Sequence, residues 1–75
     1  MEGDLQRAVG RHLRAYRQAR GLSQEAFAEV LKVHRTYMGG IERGERNLTL
    51  KNVEKIASQI DLDPLTLLQP IEKTE

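Results

Sequence analysis

The segment "SQEAFAEVLKVHRTYMGGIERG", residues 23–44, carries two short helical patterns with almost nothing between them. Ser23 is a good N-cap, and Glu25 in the following turn suits the helix dipole. Ala26, Phe27, Val30 and Leu31 then form an apolar stripe at helical spacing. A second helix is expected over residues 34–43, with Gly44 in the position that ends it. Only Lys32 and Val33 separate the two. Helices this short, joined this tightly, cannot pack antiparallel and must cross at a steep angle.

Helical patterns continue on both sides. Upstream, Leu5, Val9, Leu13 and Tyr16 repeat at helical spacing over residues 5–19, with Asp4 as the expected cap and Gly21 as the expected left-handed end. Arg7, Arg11 and Arg14 fall opposite that stripe, where a run of cations is a solvated face or a binding face. Downstream, Thr49 caps a helix whose Leu50, Val53, Ile56, Ala57 and Ile60 point one way. Asp63 followed by Pro64 signals a fifth helix over about residues 65–69, stopped by Pro70. Residues 70–75 are expected to fray. No alternating strand pattern occurs in the sequence, so the expected fold is all-α with five helices in one domain spanning residues 1–75.

Composition excludes several classes of function. The chain has 75 residues and no cysteine, so disulfides, thiolate metal sites and cysteine nucleophiles are absent. His12 and His34 are the only imidazoles and belong to different helices, with no carboxylate cluster at metal-ligand spacing. No enzyme, metal or cofactor is expected. With no stretch approaching a membrane span and no signal-peptide core, a soluble cytoplasmic protein is expected. The net charge of +1 divides unevenly: residues 1–46 carry nine Lys/Arg against six Asp/Glu, and residues 47–75 carry three against five. Such asymmetry suits a protein with one basic face.

The third helix points to the chemistry. On a helical wheel Met38 and Ile41 face the core, whereas Thr36, Gly39 and Arg43 face away, flanked by Arg35 and Gly40. An ordinary solvent face would use strong helix formers, and each mid-helix glycine costs about 1 kcal/mol relative to alanine. A small, polar and basic face instead suits close approach to an anionic, hydrogen-bonding surface such as a DNA major groove. Glu42 and Arg17 each lie at the border of an apolar stripe, so packing of the two helices would bring them together as a structural ion pair.

The run "GLSQEAFAEVLKVHRTYMGGIERGERNLTLKNVEKIA" resembles the lambda-repressor-like helix-turn-helix domain of phage repressor and Cro proteins, of the xenobiotic-response-element class. The match covers residues 9–68. "RTYMGGIERGERNLTL" is further similar to controller proteins of restriction–modification systems. The resemblance implies a transcriptional regulator that binds an operator in double-stranded DNA as a homodimer. It assigns Arg35, Thr36 and Gly40 to base-reading positions and Gln24, Tyr37, Arg43, Arg46 and Asn47 to the DNA backbone. It also matches Arg17 and Glu42 to the family's ion pair. Leu62, Leu65 and Leu68 are expected to form the dimer contact, having little chain after them. Four positions depart from the family pattern: Lys32 and Asp61 stand where glycine is usual, His34 where Ser or Thr caps the recognition helix, and Gly40 where a side chain often reads a base. The rival reading is a protein-interaction module, such as the antitoxin of a toxin–antitoxin pair.

Overall fold

The computed structural model describes residues 3–70, and the expected fraying of residues 71–75 lies outside them. Within that span the chain forms α1 (Asp4–Ala19), α2 (Gln24–Leu31), α3 (Arg35–Glu42), α4 (Leu50–Gln59) and α5 (Pro64–Leu68), with no strand among the described residues. The all-α, five-helix expectation therefore holds.

Side-chain caps start four of the helices. Ser23 Oγ accepts from Ala26 N, His34 Nδ1 from Thr36 N, Thr49 Oγ1 from Asn52 N and Asp63 Oδ1 from Leu65 N. His34 thus performs the capping job usually given to Ser or Thr. The exception is α1. Asp4 is not its cap, because Gly3 occupies that position with φ 85° and Asp4 lies in the first turn, bonded to Arg7.

The first four helices stop by one device. Leu22, Val33, Glu45 and Leu62 each send their N–H five residues back, to the carbonyls of Arg17, Ala28, Gly40 and Ala57. This Schellman closure needs a left-handed residue just before the donor, and Gly21, Lys32, Gly44 and Asp61 supply it at φ 68°, 61°, 76° and 60°. At Lys32 the conformation costs about 1–2 kcal/mol relative to a right-handed one. Paying that at Lys32 places α3 across α2 after a single intervening turn.

The core contains Val9 and Leu13 of α1, Phe27, Ala28 and Leu31 of α2, Met38 and Ile41 of α3, and Val53, Ile56, Ala57, Ile60 and Leu67 from the C-terminal part. Tyr16 stacks on Phe27 at 5.6 Å between ring centroids. Gln59 Nε2 donates to Leu31 O, tying α4 to the end of α2. Three residues of the predicted stripes miss the core. Leu5, Val30 and Leu50 are exposed. Leu5 and Leu50 sit in the first turns of their helices, beyond the reach of the opposing elements, and Ala28 takes the inward place expected of Val30.

Candidate nucleic-acid interface

α1 packs against α3, and its contact face explains how α3 is held. Arg17 Nε and Nη2 meet Glu42 Oε2 and Oε1 at 2.7 and 3.1 Å, a bidentate pair whose side chains are only 13% and 3% exposed. Arg17 Nη1 also donates to Leu22 O. Hydrogen bonding to Glu42 pushes the Arg17 pKa above its already high ordinary value, against the opposing pull of burial. Gln24, the first residue of α2, adds a third donor to the same carboxylate at 2.9 Å. Glu42 therefore joins three helices while its charge is compensated inside the fold rather than facing outward.

One helical turn before Arg14, and two before Arg17, α1 presents Gly10. A Cβ there would lie 2.4 Å from Ile41 O and 2.7 Å from Glu42 O, so the backbone of α3 rests directly on it. Gly44 repeats the arrangement, since its own Cβ would stand 2.6 Å from Arg7 Cγ. Arg7 is accordingly not on a face opposite the core but at the α1–α3 border, bonded to Asp4. Gln6 Nε2 reaches the loop after α3, donating to Arg46 O and to Asn47 Oδ1. Sequence reasoning missed Gln6 and Gly10. A glycine inside α1, seven residues from Arg17 and so on the same face, was the available signal for Gly10. Gln6 offered none.

Held in this way, α3 and its flanks form an outward surface. Ser23, Gln24, Glu25, Arg35, Thr36, Gly39 and Arg43 line one open cleft between α2 and α3. Arg35, Thr36, Arg43, Arg46 and Asn47 are all exposed. The acids nearby are weak competitors for their cations. Arg35 is 3.8 Å from Glu25 and Arg43 is 3.0 Å from Glu45, each pair more than half exposed and worth less than about 1 kcal/mol. Tyr37 is half-buried against the core, with the Arg46 guanidinium 5.1 Å from its ring centroid.

The two glycines of α3 are covered, contrary to the open face read from the wheel. At Gly39 an added Cβ would meet Arg43 Nη1 at 3.1 Å and Gln24 Oε1 at 3.6 Å; at Gly40 it would meet Arg46 Cγ and Nε, both at 3.0 Å. The neighbours are all arginine or glutamine side chains, so the glycines do face away from the apolar core. The glycines form a shallow seat for arginines. Gly39→Ala displaces only the mobile tip of Arg43 and should raise the thermal midpoint, by up to about 1 kcal/mol of helix propensity. Gly40→Ala displaces the stem of Arg46 from beside Tyr37, so its gain should be smaller. Both variants should bind DNA more weakly, and an alanine variant that gained stability with undiminished binding would remove any role for that glycine in close approach.

Comparison with known proteins agrees with this geometry. A family model described as helix-turn-helix matches residues 13–67. The chain is 38% identical to the control protein C.SmaI of Serratia marcescens over 65 residues, covering 87% of this chain and 77% of that protein. It is likewise 38% identical to the control protein C.BamHI of Bacillus amyloliquefaciens, covering 91% and 85%. Among solved structures, the restriction–modification controller protein C.AhdI from Aeromonas hydrophila superposes with a TM-score of 0.70 at 44% identity, over 83% of this chain and 94% of that one.

Proposed function

The chain belongs to the helix-turn-helix family of DNA-binding transcription regulators, and on that premise we propose that it binds its operator in the cytoplasm as a two-fold dimer, with α3 in the major groove. The observation that carries this reading is the outward face of α3, where Arg35 and Thr36 stand exposed at its start and Arg43, Arg46 and Asn47 at its end. Arg35 has the reach and the fork to bond guanine O6 and N7, and Thr36 can touch a thymine methyl or a base acceptor. Gly40 offers a base edge no side chain of its own, and the Arg46 stem that lies over it must swing toward a phosphate for the helix to approach closely. Gln24, Tyr37, Arg43, Arg46 and Asn47 position the helix on phosphates. The similarity to controller proteins makes a restriction–modification operon the favoured regulatory setting.

A gel shift with the DNA upstream of its own reading frame, with and without competitor, tests the reading; binding no tighter than to competitor refutes it. Roles within the site separate by mutation. Arg35→Ala is expected to lose about 1–3 kcal/mol at the cognate site and to flatten preference at one base position. Arg46→Ala should weaken all sequences alike and reduce the salt dependence by about one ion per protomer. The reverse pattern would exchange the two roles.

The dimer contact is assigned to α5 and the turn before it. Leu65 is 66% exposed, while Leu62 and Leu68 are half-buried beside it against the core. Leu68 also borders an apolar cleft lined by Leu5, Leu48 and Leu50, which extends the surface a second copy can bury. Two-fold pairing sets the recognition helices about 34–36 Å apart, one turn of DNA. Leu65→Asp should yield a folded monomer with greatly weakened operator binding. A wild-type chain that sediments as a monomer even on DNA would rule the contact out.

A further inference from the structure

The Gln6 side chain reaches forty residues along the chain to grip the loop that follows α3. Its Nε2 donates at 3.0 Å to Arg46 O and at 2.7 Å to Asn47 Oδ1. The first bond settles the direction of both amides. A backbone carbonyl only accepts, so the end of Gln6 that faces Arg46 is the NH2 end, whose two hydrogens serve two acceptors. Asn47 must then offer its oxygen to Gln6, which leaves its own NH2 group pointing elsewhere. Asn47 is exposed, and no other bond competes for that group among those formed by the described side chains. The loop is also fixed beneath this point, because Gly44 lies against Arg7, the next residue of α1.

We infer that Gln6 is a positioning residue for DNA binding: it holds the Asn47 amide with its donor end outward, toward a backbone phosphate, and holds the Arg46 backbone in register beside it. The inference rests on the proposed backbone role of Asn47. An unheld asparagine presents its oxygen as readily as its nitrogen, and the oxygen repels a phosphate. Gln6 removes the wrong orientation before DNA arrives, which is a gain in preorganisation rather than a new contact. The first turns of α1 thereby join the binding apparatus, although no side chain there touches the recognition helix's outer face.

The test compares Gln6→Ala, Asn47→Ala and the double variant in the full chain. The probe is a labelled duplex selected by the wild-type chain from a random-sequence pool, with dissociation constants read by fluorescence anisotropy. Each single variant is expected to weaken binding about three- to tenfold, with base preference unchanged. The double variant should lose clearly less than the product of the two single losses, because Gln6 acts in large part through Asn47. The thermal midpoint of Gln6→Ala should stay close to wild type, since alanine favours helix and both lost bonds are at the surface. Losses that multiply in the double variant, or an intact affinity in Gln6→Ala beside a weakened Asn47→Ala, overturn the positioning role alone. A midpoint that falls far enough to explain the weaker binding makes Gln6 structural and overturns it as well. An Asn47→Ala variant that binds as tightly as wild type overturns the backbone role of Asn47, and the role of Gln6 falls with it.

Discussion

Glu42→Ala is expected to destabilise the fold by about 3 kcal/mol, the lower end for a broken buried pair, because it leaves the part-buried Arg17 guanidinium charged without its partner. Arg17 would keep only its bond to Leu22 O. Gln24 would lose its anchor on the same carboxylate, so the start of α2 loosens together with the end of α3. A 75-residue domain has roughly 4–11 kcal/mol of stability in all. A loss of this size lowers the midpoint by about 12 °C or more. Thermal and urea unfolding at one fixed protein concentration measure it, since association itself raises apparent stability. Glu45→Ala is the matched control: its pair with Arg43 is exposed, and it should shift stability by less than about 1 kcal/mol. If Glu42→Ala behaved like Glu45→Ala, the pair would be solvated in solution. Replacing both partners by apolar residues of similar size should recover most of the loss, because no lone charge then remains.

Gly10→Ala carries the second large effect, and its sign runs against helix propensity. In a free helix the change would be worth about 1 kcal/mol in favour of folding. Here the new methyl would meet two backbone oxygens at 2.4 and 2.7 Å, neither of which can turn aside as a side chain does. α1 and α3 must separate, and overpacking of this kind costs about 1–3 kcal/mol and at times more. Separation also lengthens the Arg17–Glu42 bonds on the same face, so a net loss of about 2 kcal/mol is expected. The same substitution at Gly39 should raise stability, because an arginine tip is all that opposes it. Chemical denaturation of the two variants decides the matter. Equal gains at both positions would mean that α1 and α3 leave room for a methyl at Gly10. Combining Gly10→Ala with Glu42→Ala should give less than the sum of the two losses, since both act on one interface.

Where most helices begin and end was legible in the sequence, because caps and stops act over four or five residues; the start of α1, at Gly3 rather than Asp4, was not. Ser23, Thr49 and the Asp63–Pro64 pair mark starts, while Gly21 and Gly44 mark ends. Lys32 and Asp61 could be placed in left-handed turns once the family pattern supplied the register. The stripes also named most of the core, since a mid-helix residue facing inward has a neighbour wherever the partner helix lies. That logic fails at helix ends. Leu5 and Leu50 belong to correct stripes but begin their helices, and no opposing element extends far enough to cover them.

What only the tertiary structure decided are contacts between residues thirty to forty apart in sequence, and the lie of long side chains over nearer neighbours. Gly10 reads locally as a flaw in α1 and becomes intelligible only when the carbonyl oxygens of Ile41 and Glu42 arrive against it. Gln6 is an unremarkable helix-surface amide until the loop after α3 comes within hydrogen-bonding distance. The covering of Gly39 and Gly40 depends on where Arg43 and Arg46 lie, which a wheel of α3 alone cannot supply. Local propensity and periodicity describe each helix as a separate object. The angle at which one is laid on another, and hence which small residue is needed beneath which backbone, is set only when the helices close around a common core.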